Sequence, residues 1–94
     1  MISLKRQINI ACLQTSPRPD FQTALDEAIA LAEEAVDSGA DILTLPEYCG
    51  GLKTEGSAFA PPFATEENHP VLKGLRDFAK KRKKYLLIGS IAIK

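Results

Sequence analysis

Ile42-Leu43-Thr44-Leu45-Pro46-Glu47-Tyr48 is the stretch on which the fold of this chain turns. A short, nearly apolar run from Asp41 to Leu45 suits a strand buried on both faces of a parallel sheet. Pro46 ends it, because proline has no N–H to give to a ladder. Glu47 therefore falls just past the C-terminal end of a buried strand. In open α/β sheets that end is where ligands and catalytic groups collect.

Upstream, Gln7 to Leu13 alternates with Ile8, Ile10 and Cys12 on one face and predicts a first strand. The breaker cluster Ser16-Pro17-Arg18-Pro19-Asp20 stops it, and Asp20 suits the N-cap of a helix from Phe21 to Ser38. Phe21, Leu25, Ala28, Ile29, Ala32, Ala35 and Val36 draw one apolar stripe at helical period, with acidic residues around the rest. Gly39 is the C-terminal stop. Downstream, irregular sequence is expected from Tyr48 to about Glu67, a loop long enough to suggest function. Pro70 suits the first turn of a second helix with Val71, Leu72, Leu75, Phe78 and Ala79 inward, and Tyr85 to Ile93 reads as the third strand.

The pattern β-α-β-α-β implies parallel strands and right-handed crossovers, an α/β fold. A series winding in one direction puts both helices on one face of the sheet. Parallel sheets are nearly always covered on both. The other face therefore calls for more polypeptide, a partner or a second copy, and residues 1–94 read as a single partial domain.

Composition narrows the classes. An apolar share of 45% with 26% charged residues is ordinary for a globular protein, and no run approaches a membrane span. No signal peptide is evident at the N-terminus. The two cysteines, Cys12 and Cys49, fit no metal spacing and are too few for a disulfide scaffold, so a cytoplasmic setting is expected. Net charge is zero but uneven: residues 1–47 hold three Lys/Arg against eight Asp/Glu, residues 48–94 nine against four. Most of the basic excess is Lys80-Lys81-Arg82-Lys83-Lys84, which ends the second helix, where cations complement the macrodipole. Without interleaved aromatics it reads as a solvated face rather than a nucleic-acid footprint.

The ordered set Ile8-Asn9-Ile10-Ala11-Cys12-Leu13-Gln14, Ser38-Gly39-Ala40-Asp41, Leu45-Pro46-Glu47 and Leu87-Ile88-Gly89-Ser90 resembles the N-terminal part of the nitrilase, or carbon–nitrogen hydrolase, superfamily. The resemblance covers essentially the whole chain. It implies the β-α-β-α-β portion of a four-layer α-β-β-α sandwich whose second sheet packs on the bare face. It also implies catalysis by a Glu, a Lys and a Cys, of which only Glu47 maps onto these residues, as general base. The Lys and Cys are expected beyond Lys94. The resemblance further implies a small-molecule amide or nitrile substrate, no cofactor or metal, no nucleic-acid or membrane partner, and a homo-oligomer in full-length form.

Beside this stand plainer readings. Glu47 could simply cap or salt-bridge a strand end, since structural ion pairs are common. Tyr48 and the pair Gly50-Gly51 follow the base and would line a substrate pocket, or would only reverse the chain. Cys49, two residues past Glu47, matches no nucleophile motif and has no nearby His in sequence, so it reads as a small buried hydrophobe. Cys12 reads as a core residue within its strand. His69, before Pro70, reads as a helix-entry residue. Two functions compete: a carbon–nitrogen hydrolase acting through a cysteine thioester, with these 94 residues inactive alone, and a non-catalytic fragment or split product that docks with a partner. An unrelated α/β binding domain is the third.

Overall fold

The computed structural model describes residues 7–55 and 58–94. Its elements are β1 (Ile10–Cys12), α1 (Phe21–Asp37), β2 (Ile42–Leu45), β3 (Lys53–Glu55), β4 (Ala58–Ala60), α2 (Pro70–Arg82) and β5 (Tyr85–Ile88). Strands β1, β2 and β5 form a parallel sheet with β2 in the middle. This is the expected β-α-β-α-β arrangement, and its central strand is the one that carries Pro46 and Glu47 past its end.

The caps follow from the sequence. Asp20 has an extended backbone (φ −137°, ψ 166°) and its carboxylate accepts from the Thr23 N–H at 2.8 Å. That bond satisfies one of the free donors of the first turn of α1 and holds the Asp20 pKa below the ordinary carboxylate value. Gly39, at φ +100°, takes the chain out of α1 as glycine readily does. In α2, Pro70 occupies the first helical turn, and Lys83 ends the helix in the left-handed region.

Both helices pack on one face of the sheet and against each other. Ala24, Ala28 and Ala32 of α1 and Val71, Leu75 and Phe78 of α2 are buried with Leu43 and Leu45 of β2. Small side chains on α1 let the two helices and the sheet approach closely. At the far end Arg82 of α2 pairs with Glu33 and Asp37 of α1. The basic run thus includes an interhelical clamp, whereas it was expected to be a solvated face throughout.

The register places Ile10, Ile42 and Tyr85 in one row, and Cys12, Thr44 and Leu87 in the next, on the side away from the helices. Ile8, Ile10, Tyr85 and Leu87 there are 60 to 78% exposed. The bare face expected from topology is therefore present. It also corrects two readings. Cys12 is exposed rather than a core residue, because its alternation with Ile8 and Ile10 points it away from the helices. Strand β2 is fully buried only at Leu43 and Leu45, while Ile42 and Thr44 are partly open.

Two further expectations shift. The segment from Tyr48 to Glu67 is not irregular throughout: β3 and β4 pair antiparallel, Lys53 opposite Ala60. Gly56 and Ser57, within the expected loop, lie outside the described residues. The third strand ends at Ile88 instead of Ile93. Beyond it, Ile93 bridges Ala64.

Candidate active site

The loops after β1 and β2 leave the sheet side by side, because those strands are parallel neighbours. Between them opens a cleft of about 240 Å³, walled by Gln14 to Pro17 on one side and by Pro46, Glu47 and Tyr48 on the other, with Leu52 closing it. It lies at the carboxyl ends of the strands, the position that parallel sheets offer to ligands. Glu47 and Tyr48, the two site residues expected from the sequence, are thus brought to one cleft.

The Glu47 turn is anchored mainly through its backbone. The Tyr48 N–H donates to the Ser90 hydroxyl at 2.8 Å, and the Cys49 N–H to the Ser90 carbonyl at 3.2 Å. Gly51 N–H donates to the Tyr48 carbonyl at 3.0 Å, closing the turn. Gly89 N–H donates to the Leu45 carbonyl at 2.9 Å. A Cβ at Gly89 would stand 2.7 Å from that oxygen and from the Pro46 carbonyl carbon, so only glycine fits beside the chain that delivers Glu47. Tyr48 itself has φ +54°, a left-handed conformation that costs a non-glycine residue roughly 1–3 kcal/mol.

The opposite wall is fixed from α1. Glu27 accepts from the Ser16 N–H and pairs with the Arg18 guanidinium, whose Nε lies 2.7 Å away. Burial works to raise the Glu27 pKa, but the Arg18 and Ser16 donors outweigh it and hold the carboxyl below its ordinary value. The Leu52 N–H then donates to the Arg18 carbonyl at 2.6 Å, tying the two loops together.

The Glu47 side chain is exposed and has no hydrogen-bond or ion-pair partner among the described residues. The plainer reading of a strand-end salt bridge therefore finds no counter-ion there. Tyr48 is 48% exposed beside it. Cys49 turns the other way. It is buried, its thiol donates to the Ser90 carbonyl at 3.5 Å, and burial pushes its pKa up to about 11. A thiol held that high is protonated at neutral pH and inert.

Sequence reasoning assigned no role to Ser90 and saw His69 only as a helix-entry residue. Ser90 follows the apolar run of β5, and only the adjacency of β2 and β5 reveals that it meets Tyr48. His69 is indeed the N-cap of α2, with Nδ1 accepting from the Leu72 N–H at 3.4 Å. It is also fully buried, with its ring centroid 4.7 Å from that of Phe21. Among the described residues no group of three His, Cys, Asp or Glu could hold a metal ion, and no helix is long and apolar enough to cross a membrane.

A family model described as carbon–nitrogen hydrolase matches residues 9–93. No curated protein and no solved structure gives a significant match.

Proposed function

Because the chain belongs to the carbon–nitrogen hydrolase family, we propose that Glu47 is the general base of an enzyme that cleaves a small non-peptide amide or nitrile. The observation that carries this reading is the exposed Glu47 carboxylate, without a partner among the described residues, on a cleft wall at the end of the central strand, on a turn whose backbone is fixed by Ser90. A base must be free to take a proton and held in place while it does so.

On this reading the nucleophilic cysteine and the lysine of the family's Glu–Lys–Cys arrangement come from outside residues 1–94, and Cys49 is not the nucleophile. Glu47 takes the proton of the attacking thiol as sulfur bonds to the amide carbon. It returns that proton to the departing amine as the C–N bond breaks, which leaves a thioester. Water then attacks the thioester, Glu47 takes its proton, and the thiolate leaves and is reprotonated as the acid is released. A nitrile enters the same sequence through a thioimidate, whose hydrolysis releases ammonia. Tyr48 lines the approach to the base and contacts the substrate.

The test is Glu47→Gln in the protein that carries the nucleophile. The amide keeps the shape and removes the proton acceptor. Turnover is expected to fall by roughly 10² to 10⁴ while circular dichroism stays unchanged. Near-normal turnover would overturn the assignment.

The bare sheet face favours a second reading, in which these residues form a non-catalytic piece that docks with a partner through Ile8, Ile10, Tyr85 and Leu87. That reading predicts that Glu47→Gln leaves the activity of the assembled species unchanged.

A further inference from the structure

We propose that His69 is a positioning residue for Glu47, its neutral imidazole forming the floor on which the Glu47–Gly50 turn rests. The inference rests on the reading of Glu47 as base and adds to it a residue from a different element, the N-terminus of α2.

Three observations meet at this ring. Its Nδ1 accepts from the Leu72 N–H, so the hydrogen of the neutral ring sits on Nε2. Nε2 is buried and has no hydrogen-bond partner among the described residues. A plain helix cap does not explain a buried imidazole. Serine or aspartate would cap α2 as well without placing there a ring N–H that finds no partner among the described residues. The third observation supplies the reason. A Cβ built on Gly50 would lie 3.1 Å from His69 Cε1 and 2.7 Å from Ile91 Cγ1, so the Gly50 backbone sits directly on the edge of the ring.

The turn is thus held from two directions. Ser90 grips Tyr48 and Cys49 through hydrogen bonds, and His69 with Ile91 blocks the turn from sinking at Gly50. Phe21, the first residue of α1, also packs against the ring, with centroids 4.7 Å apart at an interplanar angle of 59°. Glu47 precedes this support within the same turn, so a change in the height of Gly50 moves the carboxylate in the cleft. A displacement near 1 Å at a reacting group can cost about a hundredfold in rate.

Two substitutions separate the floor from the cap, in the full-length enzyme and beside Glu47→Gln. His69→Asn keeps an N-cap acceptor and removes the ring. His69→Phe keeps the ring and removes the acceptor. Each is read by kcat and KM, and by peptide-resolved alkylation of Cys49, which lies in the same turn and is buried there. His69→Asn is expected to lower kcat about ten- to a hundredfold with little change in KM, and to speed Cys49 alkylation at least tenfold. His69→Phe is expected to keep most of kcat and the protection of Cys49 while melting at a lower temperature. Wild-type kcat and protection in His69→Asn would overturn the proposal. So would an exposed Cys49 in His69→Phe, which would reduce His69 to a cap. If His69→Asn exposes Cys49 but leaves kcat intact while Glu47→Gln is inactive, the ring does not position the base and the proposal also fails. An active Glu47→Gln enzyme instead overturns the assignment of Glu47.

Discussion

The two faces of the three-stranded sheet are built from the same alternating residues and have opposite fates. On the helix side Leu43 is 0% and Leu45 4% exposed; on the other, Tyr85 is 78% and Leu87 61% exposed. The side chains hardly differ in hydrophobicity. The difference lies in connection: the strand order β1-β2-β5 advances in one direction, and crossovers of the usual right hand then bring α1 and α2 to the same face. Apolar character thus marks a surface for burial, and topology decides whether this stretch of chain buries it. The cleft with Glu47 lies at the end of the sheet where both faces terminate, anchored to the finished side through Ser90, Gly89 and His69.

The contrast is open to attack at several points. Leu43→Ala should show the largest effect, since it removes a fully buried side chain from the middle of the central strand. A loss of roughly 2–5 kcal/mol is expected in urea denaturation, and a loss under 1 kcal/mol would mean that the helix-covered face is loosely packed. Gly89→Ala comes next. Its methyl would meet backbone atoms of Leu45 and Pro46 that cannot rotate away, so a loss of about 1–3 kcal/mol is expected, with faster Cys49 alkylation as the turn shifts.

Acid should then report on the covered side alone. Burial lowers the His69 pKa from its ordinary value of 6.5, so the unfolded chain takes up a proton before the folded one does. Stability is therefore expected to fall as pH drops below about 6.5 and to level off beneath the folded-state pKa. The carboxylates of Asp20 and Glu27, whose pKa values are lowered from 3.8 and 4.5, lose their contributions only further down the scale. Thermal melting of wild type and His69→Phe between pH 7 and 5 separates these windows. An equal acid slope in both proteins would assign the effect elsewhere.

The smallest effect on folding is expected on the bare face. Leu87→Lys in the 94-residue chain should change stability by no more than about 0.5 kcal/mol, because the side chain is already in water. Sedimentation should at the same time show less self-association than wild type, as a charge breaks the apolar patch. A Leu87→Lys chain that loses several kcal/mol would show that this face is covered after all, and would erase the contrast between the two sides.

How much of this was legible in advance depends on how far apart in sequence the cause lies. Local signals carried the elements. Asp20 as a cap, the stripe from Phe21 to Val36, Pro70 at a helix start and the apolar run closed by Pro46 each act over a few residues, within reach of propensity and periodicity. The alternation of β1 was equally legible, yet it could not say which face would meet the helices. Cys12 was placed in the core for that reason and lies outside it.

By itself, then, the sequence determined the α/β class, the parallel strand order implied by its crossovers, and the place of Glu47 past the end of a buried strand. Those follow from hydrophobic period, backbone chemistry and the handedness of L-residues, all of them local. Only the tertiary structure decided that Ser90 would hold Tyr48 across 42 positions of sequence, that Arg82 would clamp α1, and that His69 would lie beneath Gly50. Each of those contacts joins segments with no periodic relation to one another. They exist because β5 returns beside β2 and α2 beside α1, an outcome of how the whole chain packs.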